Sequence, residues 1–199
     1  MTNFISTFLV LTALFGNDRQ GNSLILIDAK QGQDTLRWID NFKKFRNAVY
    51  QNDRVKVKQF IDFPILNENN EIWYLVYEGN GKALKSLSDK IKPFTEKDFD
   101  KYYEKLFPTK FITSILKVKS EELFKSGSFE TQELKADSTT YKMYARFHKA
   151  TNLLELNLAW NTPIKNRDGT VDPGEGNISY EFVVVKNGQI KFKQVRLAG

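Results

Sequence analysis

The spacing of apolar residues changes once along the chain, near Ser128. Before that point apolar residues recur every three or four positions, which places them on one face of an α-helix. After it they alternate with polar residues, which places them on one face of a β-strand. Helices followed by long strands predict an α+β fold, with N-terminal helices packed on one face of a curved, mainly antiparallel sheet. The pattern shows no repeat and no second domain, so residues 34–199 are predicted to form a single domain.

The helical half is predicted to contain several short helices. The first begins at Asp34 or Thr35, because either side chain can accept hydrogen bonds from the free amides at a helix start. The segment TEKD, from Thr95 to Asp98, resembles a capping box for a later helix, and a last helical turn ends before Gly127. The apolar positions predicted to face the core are Trp38, Phe42, Phe45, Val49, Val57, Phe60, Ile61, Phe99, Tyr102, Tyr103, Leu106, Phe111, Ile112, Ile115 and Leu116.

One segment of this half is predicted to be a strand instead. Residues 71–77 read EIWYLVY, which is apolar on both faces, as in a strand that is covered on both sides. Gly79 and Gly81 follow it and are expected to end it.

Four strands are predicted after Ser128. Residues 141–147 and 154–160 alternate between apolar and polar side chains, and a long loop with the sequence NRDGTVDPGEGN is predicted over 166–177. Residues 178–185 and 190–197 form a hairpin around Asn187–Gly188. In the last strand the apolar residues change from even positions, Ile190 and Phe192, to odd positions, Val195 and Leu197. This shift by one residue predicts a β-bulge near Lys193–Gln194.

The N-terminus carries an export signal by its pattern. Residues 1–16, MTNFISTFLVLTALFG, contain no charged side chain, and the apolar run is too short to span a bilayer. Gly16 is a small residue at the cleavage position. Residues 1–16 are therefore predicted to be a signal peptide and 17–33 a flexible lead-in, with no stable membrane anchor. The alternative is a buried N-terminal helix or strand of the fold.

Composition excludes several classes of site. The chain has no cysteine, which excludes disulfides and cysteine-ligated metal centres. The net charge is +6, but lysines and carboxylates are mixed rather than sorted into the one-sided stripe that nucleic acids require. No phosphate-binding glycine loop of the GxxxxGK or GxGxxG type occurs. We therefore expect no nucleic-acid partner and no cofactor.

Few side chains suit catalysis or metal binding. His148 is the only histidine, so a Ser–His–Asp or His-ligated metal site would depend on it. Alternation places it on the polar face of its strand, as a surface residue, a partner contact or a catalytic base. Asp168, Asp172 and Glu175 supply the oxygen ligands that calcium prefers, at a spacing unlike the EF-hand. They are calcium candidates, with an ordinary polar loop as the alternative.

Two groups of residues are predicted as binding surfaces. The sheet face toward the helices has almost no ionisable group, so no catalytic residue is predicted there. An apolar ligand pocket on that face would be lined by Trp38, Phe42, Met143, Leu156 and Trp160. The opposite face is a candidate partner surface, with ordinary cross-strand ion pairs as the alternative. Its residues are Tyr144, Arg146, His148 and Asn157.

Three stretches carry a resemblance to a known family: FKKFRNAVYQND followed by VKQFIDFPI, then FTEKDFDKYYEKLFP, then YEFVVVKNGQIKFKQVRLAG. They resemble the nuclear transport factor 2-like (cystatin-like cone) domains of exported bacterial proteins, over about residues 35–199. The resemblance implies helices packed on a bent sheet. No position matches the aspartate or histidine dyad that enzymatic members of the superfamily hold inside the cone.

The sequence thus favours a periplasmic or secreted bacterial domain. Its expected role is that of a non-enzymatic binding or accessory module for an unknown protein partner. The alternatives are a pocket protein for a small hydrophobic ligand and a hydrolase or isomerase that uses His148.

Overall fold

The computed structural model describes residues 38–198, which lie within one compact unit. The predicted signal peptide, lead-in and first helix start fall outside these residues. The helices are α1 (residues 38–50), α2 (Arg54–Lys58), a 3-10 helix (Glu68–Asn70), α3 (Glu71–Val76), α4 (Gly81–Lys85), α5 (Glu96–Leu106), α6 (Thr109–Ile115) and α7 (Ser120–Ser126). The strands are β1 (Ser128–Glu130), β2 (Leu134–Ala136), β3 (Thr139–His148), β4 (Leu153–Lys165), β5 (Val171–Val184) and β6 (Ile190–Ala198). Within 38–198, no helix combines the length and the apolar character that crossing a membrane requires.

The strands form one six-stranded sheet in the order β1-β3-β4-β5-β6, and β2 also pairs with β3. Every strand pair is antiparallel. Leu156 in β4 lies opposite Ala145 on one side and Tyr180 on the other, and all three are buried. The alternate positions of β3 and β4 are only partly buried or exposed. Helices come first and cover one face of the sheet, so the predicted α+β class is confirmed.

Aromatic rings fill the space between the helices and the sheet. The ring centroid of Phe45 in α1 lies 5.4 Å from Phe60, 5.9 Å from Phe107 and 4.9 Å from Phe182 in β5. These rings meet at steep angles, the edge-to-face arrangement that their quadrupoles favour. The four residues of α1 that the spacing predicted to face the core are buried: Trp38, Phe42, Phe45 and Val49.

The segment before α3 covers the edge of β6. The amide of Phe192 donates to the carbonyl of Phe60 at 2.7 Å. Further along, the buried side chain of Asn67 accepts from the amide of Val195 at 2.9 Å and donates to its carbonyl at 3.1 Å. The Asn67 amide therefore takes the place of a neighbouring strand. An edge satisfied in this way is protected from pairing with another chain.

The prediction of a strand over residues 71–77 is wrong, because this segment forms helix α3. Asn69 and Asn70 have φ of 55° and 59°, a left-handed conformation that asparagine tolerates well, and the helix starts directly after them. Four of its residues are buried while Tyr74 is 46% exposed. The helix is wedged between α5 and β6, so most of its surface is covered. A short apolar run does not distinguish such a helix from a covered strand.

The long loop predicted over 166–177 is also wrong. Only residues 166–170 turn, and the rest of the segment belongs to β5. Beyond the pairs Thr140↔Asn161 and Asn177↔Ala198, β4 and β5 pair only with each other among the strands that the structure describes. We call residues 162–176 the β4–β5 arm. Pro163 lies opposite Pro173 in it, which is tolerated because no third strand needs their missing amides.

Other local predictions are confirmed. Thr95 and Asp98 form the capping box of α5, and Gly127 ends α7 with a φ of 80°. In the β5–β6 hairpin, Asn187 and Gly188 both have positive φ, as tight hairpin turns require. The register shift between Glu181 and Phe182 leaves Lys193 as the extra residue of a β-bulge.

Candidate functional site

A cleft of about 940 Å³ opens beside the base of the β4–β5 arm. One wall comes from α3, a second from the corner between α5 and α6, and the floor comes from β4, β5 and β6. Most of the lining is apolar. The apolar side chains are Tyr74, Leu75, Pro108, Leu158, Trp160, Ile178, Leu197 and Ala198.

Strand register builds the floor of this cleft. Leu158 lies opposite Ile178, and Trp160 lies opposite Gly176 in the next inward-facing pair. The Trp160 ring passes so close to Gly176 that a Cβ there would stand 2.6 Å from it. Glycine is needed here because of this close approach. Trp160 therefore lies across the neighbouring strand and forms a flat, half-buried surface at the mouth of the cleft.

Charged side chains surround the apolar floor. Glu78 follows the C-terminal end of α3, Lys105 lies near the end of α5, and Lys110 lies near the start of α6. None of these three side chains makes a hydrogen bond or ion pair within residues 38–198. Glu104 is held by Arg54 at 3.4 Å, and Glu175 borders the cleft from β5. The rim can therefore offer both a carboxylate and ammonium groups to a polar part of a ligand.

The apolar pocket expected from the sequence is assembled differently. Of its five residues, Trp160 borders the cleft, whereas the other four are at most 1% exposed within the packed core: Trp38, Phe42, Met143 and Leu156. Trp38 stacks on Phe42 at 5.9 Å and meets Phe147 at 5.0 Å. Because large aromatic rings occupy the space between α1 and the sheet, these four side chains act as core.

The outer face of the sheet brings the predicted partner residues together. Tyr144, Arg146 and Asn157 line a shallow cavity of about 220 Å³ with Glu155. Arg146 lies opposite Glu155 in the sheet, yet the Arg146 side chain makes no hydrogen bond or ion pair in the part of the chain that the structure describes. A free guanidinium beside a tyrosine and an amide is able to bind a carboxylate or phosphate.

His148 lies at the exposed end of β3 beside this cavity. Its Nε2 lies 3.6 Å from Oε2 of Glu155, whose other oxygen accepts from the hydroxyl of Ser179 at 2.9 Å. The carboxylate thus separates the serine from the imidazole. Nucleophilic catalysis by serine needs the imidazole to contact the hydroxyl directly. A catalytic role for His148 stays a prediction, and this geometry does not support it.

A buried carboxylate stabilises the same face further along the sheet. Glu181 accepts from Nε of Arg196 at 2.8 Å and from the amide of Gln194 at 2.7 Å. The contact with Glu181 raises the pKa of the Arg196 guanidinium above its ordinary value. Since both carboxylate oxygens are bonded, Glu181 is satisfied within the fold and is a structural group.

The calcium candidates are not brought together. Asp168 accepts from the amide of Thr170 at 3.0 Å and from its hydroxyl, and these bonds lower the pKa of the Asp168 carboxyl. Asp172 accepts from the side chain of Asn166 at 2.7 Å, and Glu175 borders the cleft. No group of three or more metal-binding side chains occurs within residues 38–198. The first two carboxylates hold the turn of the arm.

Sequence reasoning missed most of the cleft residues, including Tyr74, Lys105 and Lys110. Tyr74 was missed because residues 71–77 were predicted to be a strand, whereas helix α3 directs the Tyr74 side chain into the cleft. One signal was available in Gly174 and Gly176, which alternate within an otherwise extended segment. Glycine inside a strand often marks the close approach of another group. Here Ile164 approaches Gly174, and Trp160 approaches Gly176.

No family model matches this chain, and no curated protein matches it. Among solved structures, it is similar to a protein from Xanthomonas campestris described as a calcium/calmodulin dependent protein kinase II association domain. The match covers 97% of this chain and 96% of that one, at 8% sequence identity and a TM-score of 0.25. A likeness this distant indicates nothing about what this chain binds.

Proposed function

We propose that this chain is a non-enzymatic binding domain whose site is the cleft beside the β4–β5 arm. The observation that carries this proposal is an open cavity of about 940 Å³ with an apolar floor and a charged rim. Ligand sites are concave, mostly apolar and equipped with a few polar groups, and their volumes are about 300 to 1,000 Å³. A small amphipathic molecule, with an apolar body and one charged end, fits this description.

The chemistry of the rim narrows the class of ligand. Lys105 and Lys110 come from the α5–α6 corner, and neither ammonium group has a partner in the described part of the chain. An anionic end group would gain two charge-assisted contacts there, while its apolar body lies on Leu158, Ile178 and Trp160. Of the three carboxylates at the rim, Glu104 is paired with Arg54 and Glu175 accepts from the side chain of Asn161 at 3.5 Å. Within the described residues, Glu78 is therefore the one rim carboxylate without a partner for a cationic end group. We therefore expect preference for an anionic amphiphile.

The test uses Trp160 as the reporter. Titration with decanoate, decylamine and decanol should shift the tryptophan emission most for decanoate and least for decylamine. Trp38 and Trp73 are each 1% exposed and outside the cleft lining, so the shift should disappear in Trp160→Phe. No saturable response to any of the three probes would contradict the proposal.

A matched pair of variants locates the site. Tyr74 and Tyr50 are both exposed tyrosines on helices, 46% and 63%, and only Tyr74 lines the cleft. Tyr74→Ala should weaken decanoate binding several-fold because it removes apolar contact area, whereas Tyr50→Ala should leave it unchanged. Equal weakening by both variants would place the ligand elsewhere.

We further propose that the α+β domain has a nuclear transport factor 2-like fold and that the protein is exported. Helices that precede an antiparallel sheet and cover one of its faces support a nuclear transport factor 2-like domain, with the cleft at its open end. The uncharged apolar N-terminus supports export. Expression of the full chain in a bacterium, followed by N-terminal sequencing of the periplasmic fraction, should yield a protein that starts at Asn17. Intact Met1 in the cytoplasm would contradict export.

The outer face is a second candidate site, for a protein partner. The supporting observation is the unpaired Arg146 guanidinium in a cavity lined by Tyr144 and Asn157. Pull-down with the wild-type chain should retain a protein that Arg146→Glu loses. Arg167→Glu is the matched control, because Arg167 lies in the exposed turn of the β4–β5 arm. Loss of the same protein in both variants would indicate a nonspecific charge effect.

A further inference from the structure

Three aromatic rings meet at a surface corner between α3 and α5, apart from the cleft. Trp73 lies in α3, Tyr77 directly follows the last residue of α3, and Tyr102 lies in α5. Their centroids are 5.1 Å (Trp73–Tyr77), 6.1 Å (Trp73–Tyr102) and 5.8 Å (Tyr77–Tyr102) apart, with interplanar angles of 49°, 81° and 74°. We call these three residues the aromatic box. Tyr102 packs edge-to-face against both of the other rings.

An ammonium group already lies over two of the three rings. Nζ of Lys92 lies 3.9 Å from the centroid of Trp73 and 5.4 Å from that of Tyr77, and it donates to the Tyr77 hydroxyl at 3.1 Å. A second ammonium, that of Lys101, lies 4.7 Å from the ring of Tyr102. Neither lysine has a carboxylate within ion-pair distance among residues 38–198. The direct contacts of these two ammonium groups are therefore aromatic side chains, which attract cations through the negative faces of their rings.

Backbone contacts position Lys92 over the box. Asn70, buried and in the left-handed conformation at φ 59°, accepts from the amide of Lys92 at 2.7 Å and donates to the carbonyls of Ser88 and Lys90. The indole of Trp73 donates to the carbonyl of Lys92 at 2.8 Å. The main chain is thus fixed, but the Lys92 side chain is exposed and held only by the rings and one phenol. That side chain is free to leave without unfolding the segment.

We propose that the aromatic box is a binding site for a quaternary ammonium group, with the Lys92 ammonium as its built-in competitor. A lysine ammonium is compact and strongly hydrated, so it loses much hydration when it lies on an aromatic face. A quaternary ammonium has no N–H donors and is weakly hydrated, and it is the cation that aromatic cages bind well. When Lys92 swings into water, its ammonium regains hydration and the face of Trp73 becomes available to the incoming cation.

This site is distinct from the cleft, although α3 contributes to both. The cleft is lined by Tyr74, Leu75 and Glu78, whereas Trp73 and Tyr77 belong to the box. Failure of one proposal therefore leaves the other unaffected. Choline and its neutral isostere 3,3-dimethyl-1-butanol are suitable probes, because they have the same shape and differ in charge.

The experiment follows the indole N–H signal of Trp73 by NMR, assigned with Trp73→Phe. Lys92→Ala should bind choline about tenfold more tightly than the wild-type chain, because a competitor held by a cation–π contact of ordinary strength has been removed. The isostere should give no comparable shift. Lys97→Gln is the control, because Lys97 is an exposed lysine of α5 that contacts no ring. It should bind choline as the wild-type chain does.

Several outcomes would overturn the proposal. They are equal shifts with choline and with the isostere, no saturable shift in Lys92→Ala at tens of millimolar choline, or equal affinity in Lys92→Ala and wild type. If Lys92→Ala is poorly folded, Lys92→Gln serves in its place, since it keeps most of the stem and removes the charge. Sedimentation of the same variants with phosphatidylcholine vesicles distinguishes the source of the cation. Co-sedimentation identifies a lipid headgroup, and choline binding without it identifies a free ligand.

Discussion

The same two strands, β4 and β5, behave differently at their two ends. Where helices cover them, Leu154 lies opposite Phe182 and Leu156 opposite Tyr180, and all four side chains are fully buried. Toward the arm, Trp160 lies opposite Gly176, and two positions further along Thr162 lies opposite Gly174. At the helix-covered end, which we call the filled end, both strands contribute large side chains. At the end toward the arm, which we call the open end, only β4 contributes a large ring at the Trp160–Gly176 pair. The size of the facing side chains therefore indicates whether helices cover that part of the sheet.

The physical reason is the distance between layers. A helix packed on a sheet leaves space for large side chains from both strands, and voids in that space are costly. Beyond the helices, no second layer covers the sheet among residues 38–198, so a large ring lies flat on its own sheet. Trp160 can do so only because Gly176 has no Cβ. The cleft is the space that remains above this flat surface.

The largest loss of stability is expected when an aromatic ring is removed from the filled end. Phe182 is 0% exposed and its ring lies 4.9 Å from Phe45 and 5.3 Å from Phe192. Phe182→Ala should lower the free energy of unfolding by about 3–5 kcal/mol, because the packed neighbours cannot close the cavity. Urea unfolding measures this loss. Trp160→Ala removes a larger ring but should lower the free energy of unfolding by less than Phe182→Ala does. A greater loss from Trp160→Ala would mean that the open end belongs to the core.

A smaller effect is expected from adding volume at the open end. Gly176→Val places a Cβ within 2.6 Å of the Trp160 ring and should destabilise the fold by about 1–3 kcal/mol. In the double variant Gly176→Val/Trp160→Ala the two changes should compensate in part, which a double-mutant cycle detects. Gly81→Ala is the control, because nothing lies within 4 Å of the added Cβ. Strict additivity would show that the ring does not depend on the glycine.

The smallest expected effect is a change in the pH dependence of the free energy of unfolding. It appears only at high pH and tests whether water is excluded from the packed core around Tyr103. Burial raises the pKa of Tyr103 from 10.0 to about 12. Between these values the unfolded chain releases this proton while the folded chain keeps it, so the free energy of unfolding falls as pH rises. Tyr103→Phe should be nearly neutral at pH 8 and should show a shallower fall across this range in urea unfolding. Tyr50→Phe, at a 63% exposed position, should keep the wild-type slope. An unchanged slope in Tyr103→Phe would mean that water reaches the phenol.

Local chemistry explains which parts of the fold were predictable. The capping box of Thr95 and Asp98, the hairpin at Asn187–Gly188 and the bulge at Lys193 depend on a few neighbouring residues, and all three are confirmed. Helix α3 and the β4–β5 arm depend on what lies next to them in space. Ile72 and its neighbours are apolar whether the segment is helix or strand, and the glycines and prolines of the arm are as frequent in loops.

The sequence by itself determined the α+β class, the burial of α1 and the alternation of β3 and β4, because hydrophobic periodicity is a property of consecutive residues. Only the tertiary structure decided where space is left over. It packed Trp38, Phe42, Met143 and Leu156 into the core, left Trp160 at the mouth of a cleft, and brought Lys92 onto the aromatic box. Cavities and cation–ring contacts join residues that are distant in sequence, and no local pattern encodes the distance between layers.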